Sequence, residues 1–259
     1  MKKWILILCC SILSFSTKAS QYIACSTEET ENGTCFSCGQ KCAARLTYPN
    51  TEDALNQTNA TLTFSGTGEM KKYHPDPTPW RETRGFVTKV VIEEGITSVE
   101  YDAFLFFEQI TDAQLPSTLK VLAPGAFQGC TNLKTLEIPD GVDIQDLSLD
   151  ASGLTSLVVS ENSTISPLAL YSVVGEAPLE SIYCSSAKLQ QCQDAVAYRG
   201  DNVKIKEYQK YGDTYYIDGK FYTSPNDIIG DHHIQKRIYT IDEANRVAGD
   251  KNRVSIKYR

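Results

Sequence analysis

The chain has 259 residues, with 32 acidic against 25 basic side chains and a formal net charge of −7. A field of that sign disfavours nucleic acid and anionic lipid as partners. A chain of this length is enough for a sizeable core.

Met1-Lys2-Lys3 is basic, Trp4 to Phe15 is a short apolar run, and Ser16-Thr17-Lys18-Ala19 offers the small residues a signal peptidase reads. Residues 1–19 therefore read as a secretory signal peptide. The run is too short to cross a bilayer, and no later stretch is long enough, so the sequence predicts no transmembrane segment. Removing Lys2, Lys3 and Lys18 leaves 22 basic against 32 acidic side chains, a net charge near −10. The expected destination is the cell surface, the extracellular space or the periplasm.

Residues 20–86 read as a cysteine-rich N-terminal cap. Cys25, Cys35, Cys38 and Cys42 are bunched closely enough for either a zinc knot or two disulfides. In an oxidising compartment nothing keeps thiols reduced for a metal, so disulfides are the better reading, with connectivity left open. Ala60-Thr-Leu-Thr-Phe-Ser-Gly66 alternates as a strand ended by glycine. Pro75, Pro77 and Pro79 then suit an extended entry, ending at Trp80, into the repetitive segment that begins at Val87.

From Val87 to Cys184 one phrase recurs: Val87/Val90/Ile92, Ile110/Ala113/Leu115, Leu133/Leu136/Ile138, Leu154/Leu157/Val159 and Leu179/Ile182/Cys184. The starting positions are 23, 23, 21 and 25 residues apart. A second landmark, Ala103-Phe104 and Ala126-Phe127, keeps the same 23-residue spacing. Two landmarks on one period predict a solenoid of about four to five coils over 87–184, each adding one strand to a parallel sheet. In this register Phe104 and Phe107 belong to the core, leaving Leu105 or Phe106 exposed. Cys130 takes the slot of Phe107 and reads as a small buried core residue.

These residues resemble the BspA-like (treponemal-type) leucine-rich repeat family, whose units run as an apolar strand, I-P, then V-x-x-I-G-x-x-A-F-x-x-C. The likeness is closest over Ile110 to Cys130; after Ile138-Pro139 the A-F pair and the cysteine are absent. Ser65-Gly66-Thr67-Gly68-Glu69-Met70, followed by Pro79-Trp80, is similar to the cap that precedes such repeats. The resemblance implies a surface or secreted protein that recognises or adheres to protein, of the host or of a neighbouring cell. A fold of this kind hosts many functions, so the partner must be argued from a site.

Residues 185–259 read as a cap helix followed by a small α+β module. Ser185 or Ser186 is placed to cap a helix through Ala187, Leu189, Cys192, Ala195 and Val196. Cys184 and Cys192 flank a short loop at the end of the repeats and read as a third disulfide. Val203 to Lys210 alternates, and Asp218-Gly219 supplies a tight hairpin turn between Thr214 and Thr223. A strand at Lys236–Thr240, a capping box Thr240/Glu243 and a last strand from Arg253 complete the module.

Nothing in the sequence points to catalysis, a cofactor or a metal. His74 and Asp231-His232-His233 lack a nucleophile motif, and adjacent side chains on an extended segment point apart. Glu93-Glu94 and Asp140 read as acids that solvate turns. The alternation does place a binding face. Between the inward anchors, Lys89, Asp112, Thr135, Ser156 and Ser181 form one outward column, and Val91, Gln114, Glu137, Val158 and Tyr183 the next. Five strands span about 20 Å, enough for a peptide strip or a small protein patch. The competing expectation is a structural envelope protein docked through its tyrosine-rich C-terminal module.

Overall fold

The computed structural model describes residues 33–172, 178–199, 203–211, 214–223 and 227–228. Residues 1–19, Cys25, Asp231-His232-His233 and the elements expected over 236–259 lie outside the described residues.

The first described elements form a hairpin and a strand that lead into the repeats. Strands β1 (Gly33–Gly39) and β2 (Cys42–Thr47) pair antiparallel, and Cys38 and Cys42 close a disulfide across their turn. Helix α1 (Thr51–Asn56) starts at Asn50, whose side chain accepts from the Asp53 N–H at 2.9 Å, and stops at Gln57 in the left-handed region. Strand β3 (Ala60–Gly66) then lies antiparallel to β2 and parallel to β4 (Val87–Ile92). Both edges of β3 are thus paired, and β4 meets a strand on the side facing the N-terminus. That matters because an open strand edge is a template for unwanted pairing.

The segment between β3 and β4 is anchored by Trp80. Its indole N–H donates to the Ala103 carbonyl at 2.8 Å, and its ring meets Phe64 and Tyr73 edge-on. The aromatic contacts continue from Phe64 to Phe104 and from Phe104 to Phe127, at centroid distances of 5.5 and 5.0 Å.

Two parallel ladders carry the repeats, so the coils also add short strands to a second sheet that the sequence reading of one strand per coil did not anticipate. On one side β4 pairs with β6 (Asp112–Gln114) after the short β5 (Ser98–Val99). On the other, β5 pairs with β7 (Val121–Leu122), β7 with β8 (Asp143–Ile144), and β8 with β10 (Thr164–Ile165). The first side resumes with β9 (Ser156–Val159), which pairs parallel with β11 (Ser181–Cys184). Leu133 to Ile138, between β6 and β9, follows the same path without strand pairing. Partners across the β4/β6 step are 23 residues apart, as in Lys89 opposite Asp112.

One core runs between the ladders. Val90, Ala113, Leu136, Leu157 and Ile182 enter it from one side, and Val99, Leu122, Ile144 and Ile165 from the other. The turn that joins the sides inserts Ala103-Phe104 and Ala126-Phe127, then Ser148-Leu149 and Ala169-Leu170, all buried. The A-F slot therefore persists after Ile138 with Leu in place of Phe, which is why the sequence mark fades there. Phe104 and Phe107 are core and Phe106 is 50% exposed, as the register requires. Cys130 is fully buried, and its thiol donates to the Phe104 carbonyl at 3.3 Å.

Three of these four turns place two residues in left-handed backbone: Asp102 and Phe106, Gly125 and Gly129, Leu147 and Ala151. Only the middle repeat uses glycine at both, where a Cβ would run into Asp102 and the Phe106 ring. The others carry a side chain in a conformation that costs about 1–2 kcal/mol per residue.

Beyond β11 comes helix α2 (Leu189–Val196), which begins after a 3-10 turn at Ser186–Lys188. Neither Ser185 nor Ser186 caps α2; Lys188 occupies that position without a side-chain cap. Strand β12 (Lys204–Glu207) extends the β9/β11 sheet in parallel. A separate antiparallel meander comes next: β13 (Gln209–Tyr211), β14 (Thr214–Ile217) and β15 (Lys220–Tyr222). Asp218 and Gly219, at φ of 50° and 82°, make the expected hairpin turn.

Candidate binding face

The outward columns divide into two unlike halves. In the N-terminal half, Lys89 is registered with Asp112 and Val91 with Gln114. Lys89, Val91 and Asp112 are half-buried, while Gln114, Thr135 and Glu137 are exposed. The Lys89 ammonium and the Asp112 carboxylate pair at 2.7 Å.

Asp112, Gln114, Thr135 and Glu137 line an open groove of about 650 Å³, whose rim is completed by Glu94 and Asp140. The two rim acids do more than solvate turns. The Glu94 carboxylate accepts from the Ser117 N–H at 2.7 Å, the Ser117 hydroxyl at 3.0 Å and the Thr118 N–H at 3.3 Å, one repeat further on. These donors hold it below the usual glutamate range. Asp140 is likewise held low by hydrogen bonds from Ser160 and Asn162, and by Lys210 nearby. Both acids staple neighbouring repeats while keeping the groove anionic.

The C-terminal half is covered. Ser156 is half-buried and registered with Ser181, which is buried. Val158 and Tyr183 are only 5% and 9% exposed. They form a second apolar cluster with Tyr208, Ile217, Tyr222 and Ile228, distinct from the repeat core. Their side chains do point away from the repeat core, but the meander lies on top of them. Ser181, Val158 and Tyr183 therefore do not belong to an open binding face, contrary to the sequence expectation. Tyr208 is buried there, and its hydroxyl donates to the Val159 carbonyl at 3.0 Å. The Lys206 ammonium sits 5.2 Å from the centre of the Tyr183 ring. That is inside the reach of about 6 Å over which a cation is drawn to an aromatic face.

The cysteines divide similarly. Cys38 and Cys42 are bonded to each other, and Cys35 is also disulfide-bonded. Cys184 and Cys192 stand as free, fully buried thiols, so the third bridge expected from sequence is not closed in the structure. The two are hydrogen-bonded to each other.

Of the residues considered for chemistry, His74 packs against Tyr101 at 4.4 Å and lines a small pocket with Arg81 and Asp102. Burial raises the Asp102 carboxyl, against the lowering effect of His74 and Arg81. Among the described residues, no group of three or more His, Cys, Asp or Glu side chains is placed to hold a metal ion. Among them, too, no helix is long and apolar enough to cross a membrane.

Residues 84–191 match the BspA type leucine rich repeat region, in six copies. No curated protein matches the chain. Among solved structures, a leucine-rich repeat protein from Eubacterium ventriosum is similar at 20% identity and a TM-score of 0.44, over 72% of this chain and 48% of its own. A leucine rich cell surface protein from Faecalibacterium prausnitzii is similar at 17% identity and a TM-score of 0.42, over 68% and 44%. A leucine-rich repeat protein from T. pallidum is similar at 15% and 0.36, over 58% and 79%. The chain thus spans about half the length of the first two.

Proposed function

We propose, for a chain whose residues 84–191 are BspA-type leucine-rich repeats, that it is an exported recognition protein holding protein partners on the open half of its sheet face. In this reading the repeats are a solenoid over 87–184, with residues 20–86 as an N-terminal cap and residues 185–259 as a C-terminal one. The setting is the cell surface, the extracellular space or the periplasm, and the role is adhesion without catalysis.

The observation that carries this reading is the groove. It joins exposed polar side chains of successive repeats, Gln114 with Thr135 and Glu137, on one concave surface. Its rim acids remain ionised below the ordinary carboxylate range, so it favours a partner surface that brings Lys or Arg side chains, with a salt-dependent association rate. Tyr208 and Tyr222 are buried against Val158 and Tyr183, so these two tyrosines support internal packing over envelope docking.

A photo-crosslinking residue placed at Thr135 tests this. Presented to intact host or neighbouring cells, it should join a distinct surface protein, and the Gln114→Arg/Glu137→Arg background should abolish the product. The same residue placed at Lys120, beside the opposite ladder, should give none. Equal products from both positions would defeat the assignment.

A further inference from the structure

Among the described residues, three buried thiols remain outside the N-terminal disulfides, and they are in two different situations. Cys130 stands alone, donating to a backbone carbonyl inside the repeat core. Cys184 ends the last repeat strand, β11, while Cys192 lies in α2 with its side chain turned into the same core. Helix α2 packs against β11, and the two thiols are hydrogen-bonded to each other. We infer that Cys184 and Cys192 are a redox pair that closes to a disulfide and latches α2 onto the last repeat strand.

The latch has a physical task. Helix α2 has eight residues, no side-chain cap at its start and no basic residue in its last turn. A helix that short is marginal alone, so α2 depends on burying Cys192 and Ala195, with Leu189 and Val196 partly buried beside them. Tying it covalently to β11 closes a short loop and removes unfolded conformations in which the end of the repeat core is bare.

The oxidant is an external disulfide such as oxidised glutathione. The Cys184 thiolate attacks one of its sulfurs, the S–S bond breaks, and one glutathione thiolate leaves. Cys192 gives up its proton and attacks the Cys184 sulfur of the mixed disulfide, expelling the second glutathione. Two protein thiols are oxidised, and one external disulfide is reduced to two thiols. Because both sulfurs are fully buried in the folded chain, the exchange occurs before α2 docks.

Trypsin offers a direct test, since it cuts after Lys188, between the two cysteines. Residues 135–188 contain no other basic residue and no other cysteine, and 189–199 contain only Cys192. The full chain is refolded with oxidised and reduced glutathione, alkylated and digested. Recovery of 135–188 joined to 189–199, with Cys130 alkylated, is the expected result. Separate peptides, each alkylated or each carrying glutathione, overturn the inference. A second readout is the difference in Tm between oxidant and reductant, in which the other disulfides cancel on comparing variants. It should shrink by about 5 °C or more in Cys184→Ser relative to wild type. An unchanged difference counts against the latch.

Discussion

The two halves of the sheet face are built from the same alternation, yet one is wet and the other is covered. Gln114 and Tyr183 occupy equivalent places in their repeats, and both side chains point away from the core. Gln114 is exposed, whereas Tyr183 lies under Tyr208 and the meander. A repeat therefore specifies which way a side chain points, but its exposure depends on what the rest of the chain lays over it. The residue types agree with the outcome except at half-buried Val91 in the open half and at Ser156 and Ser181 in the covered one. Polar Asp112, Gln114, Thr135 and Glu137 mark the wet half, and Val158 and Tyr183 the covered one. An apolar residue on the outer face of a repeat sheet marks a contact surface, and here the contact is internal.

Substitutions should separate the halves sharply. Tyr208→Ala removes a buried ring together with its hydrogen bond to Val159, and should cost about 3–5 kcal/mol in a denaturant titration. Tyr183→Ala should come next, at about 2–4 kcal/mol, because it too vacates the second cluster. Gln114→Ala and Thr135→Ala should stay within about 0.5 kcal/mol, as exposed positions do. Equal effects in both halves would mean that the meander does not cover β9 and β11.

Much of this architecture was legible because a period of 23 repeats two landmarks at once. Val90, Ala113, Leu136, Leu157 and Ile182 are all core, and Phe104, Phe107 and Cys130 are buried as their register demands. The later turns were less legible because Ser148-Leu149 and Ala169-Leu170 fill the A-F slot without its spelling. Strands β1 and β2 were missed, since a stretch rich in cysteine and glycine lacks the apolar alternation that announces a strand. The site was half legible. Periodicity is local, whereas the cover on Val158 and Tyr183 comes from residues some 25–70 positions away along the chain, from Tyr208 to Ile228. No spacing rule could announce that docking, although the two apolar side chains were a usable sign of it. The roles of Glu94 and Asp140 were hidden for a similar reason: their donors lie in the following repeat.

Asp140 belongs to the boundary between the halves, near Lys210 of the meander, and its pH dependence tests that position. Its folded-state carboxyl is lower than its ordinary value, so the stability it contributes is present above about pH 4 and lost as pH falls through the lowered value. Asp140→Asn should cost no more than about 1 kcal/mol at pH 7, because the group is largely exposed. The difference from wild type should vanish at acidic pH. A difference that persists there would identify lost packing in place of lost charge.

The smallest effect belongs to the open half. Lys89 and Asp112 form the pair nearest the groove, but their side chains are 37% and 48% exposed. Water and salt screen such a pair, so Asp112→Asn should change stability by less than about 0.5 kcal/mol. Its effect on recognition should be larger than that, since the same carboxylate lines the groove. The substitution should slow capture of a basic partner at low salt and make little difference at about 0.5 M salt, where the screening length is only about 4 Å. Stopped-flow association at several salt concentrations measures this. A rate that ignores both salt and Asp112 would place the partner elsewhere on the molecule, while leaving the covered half as described.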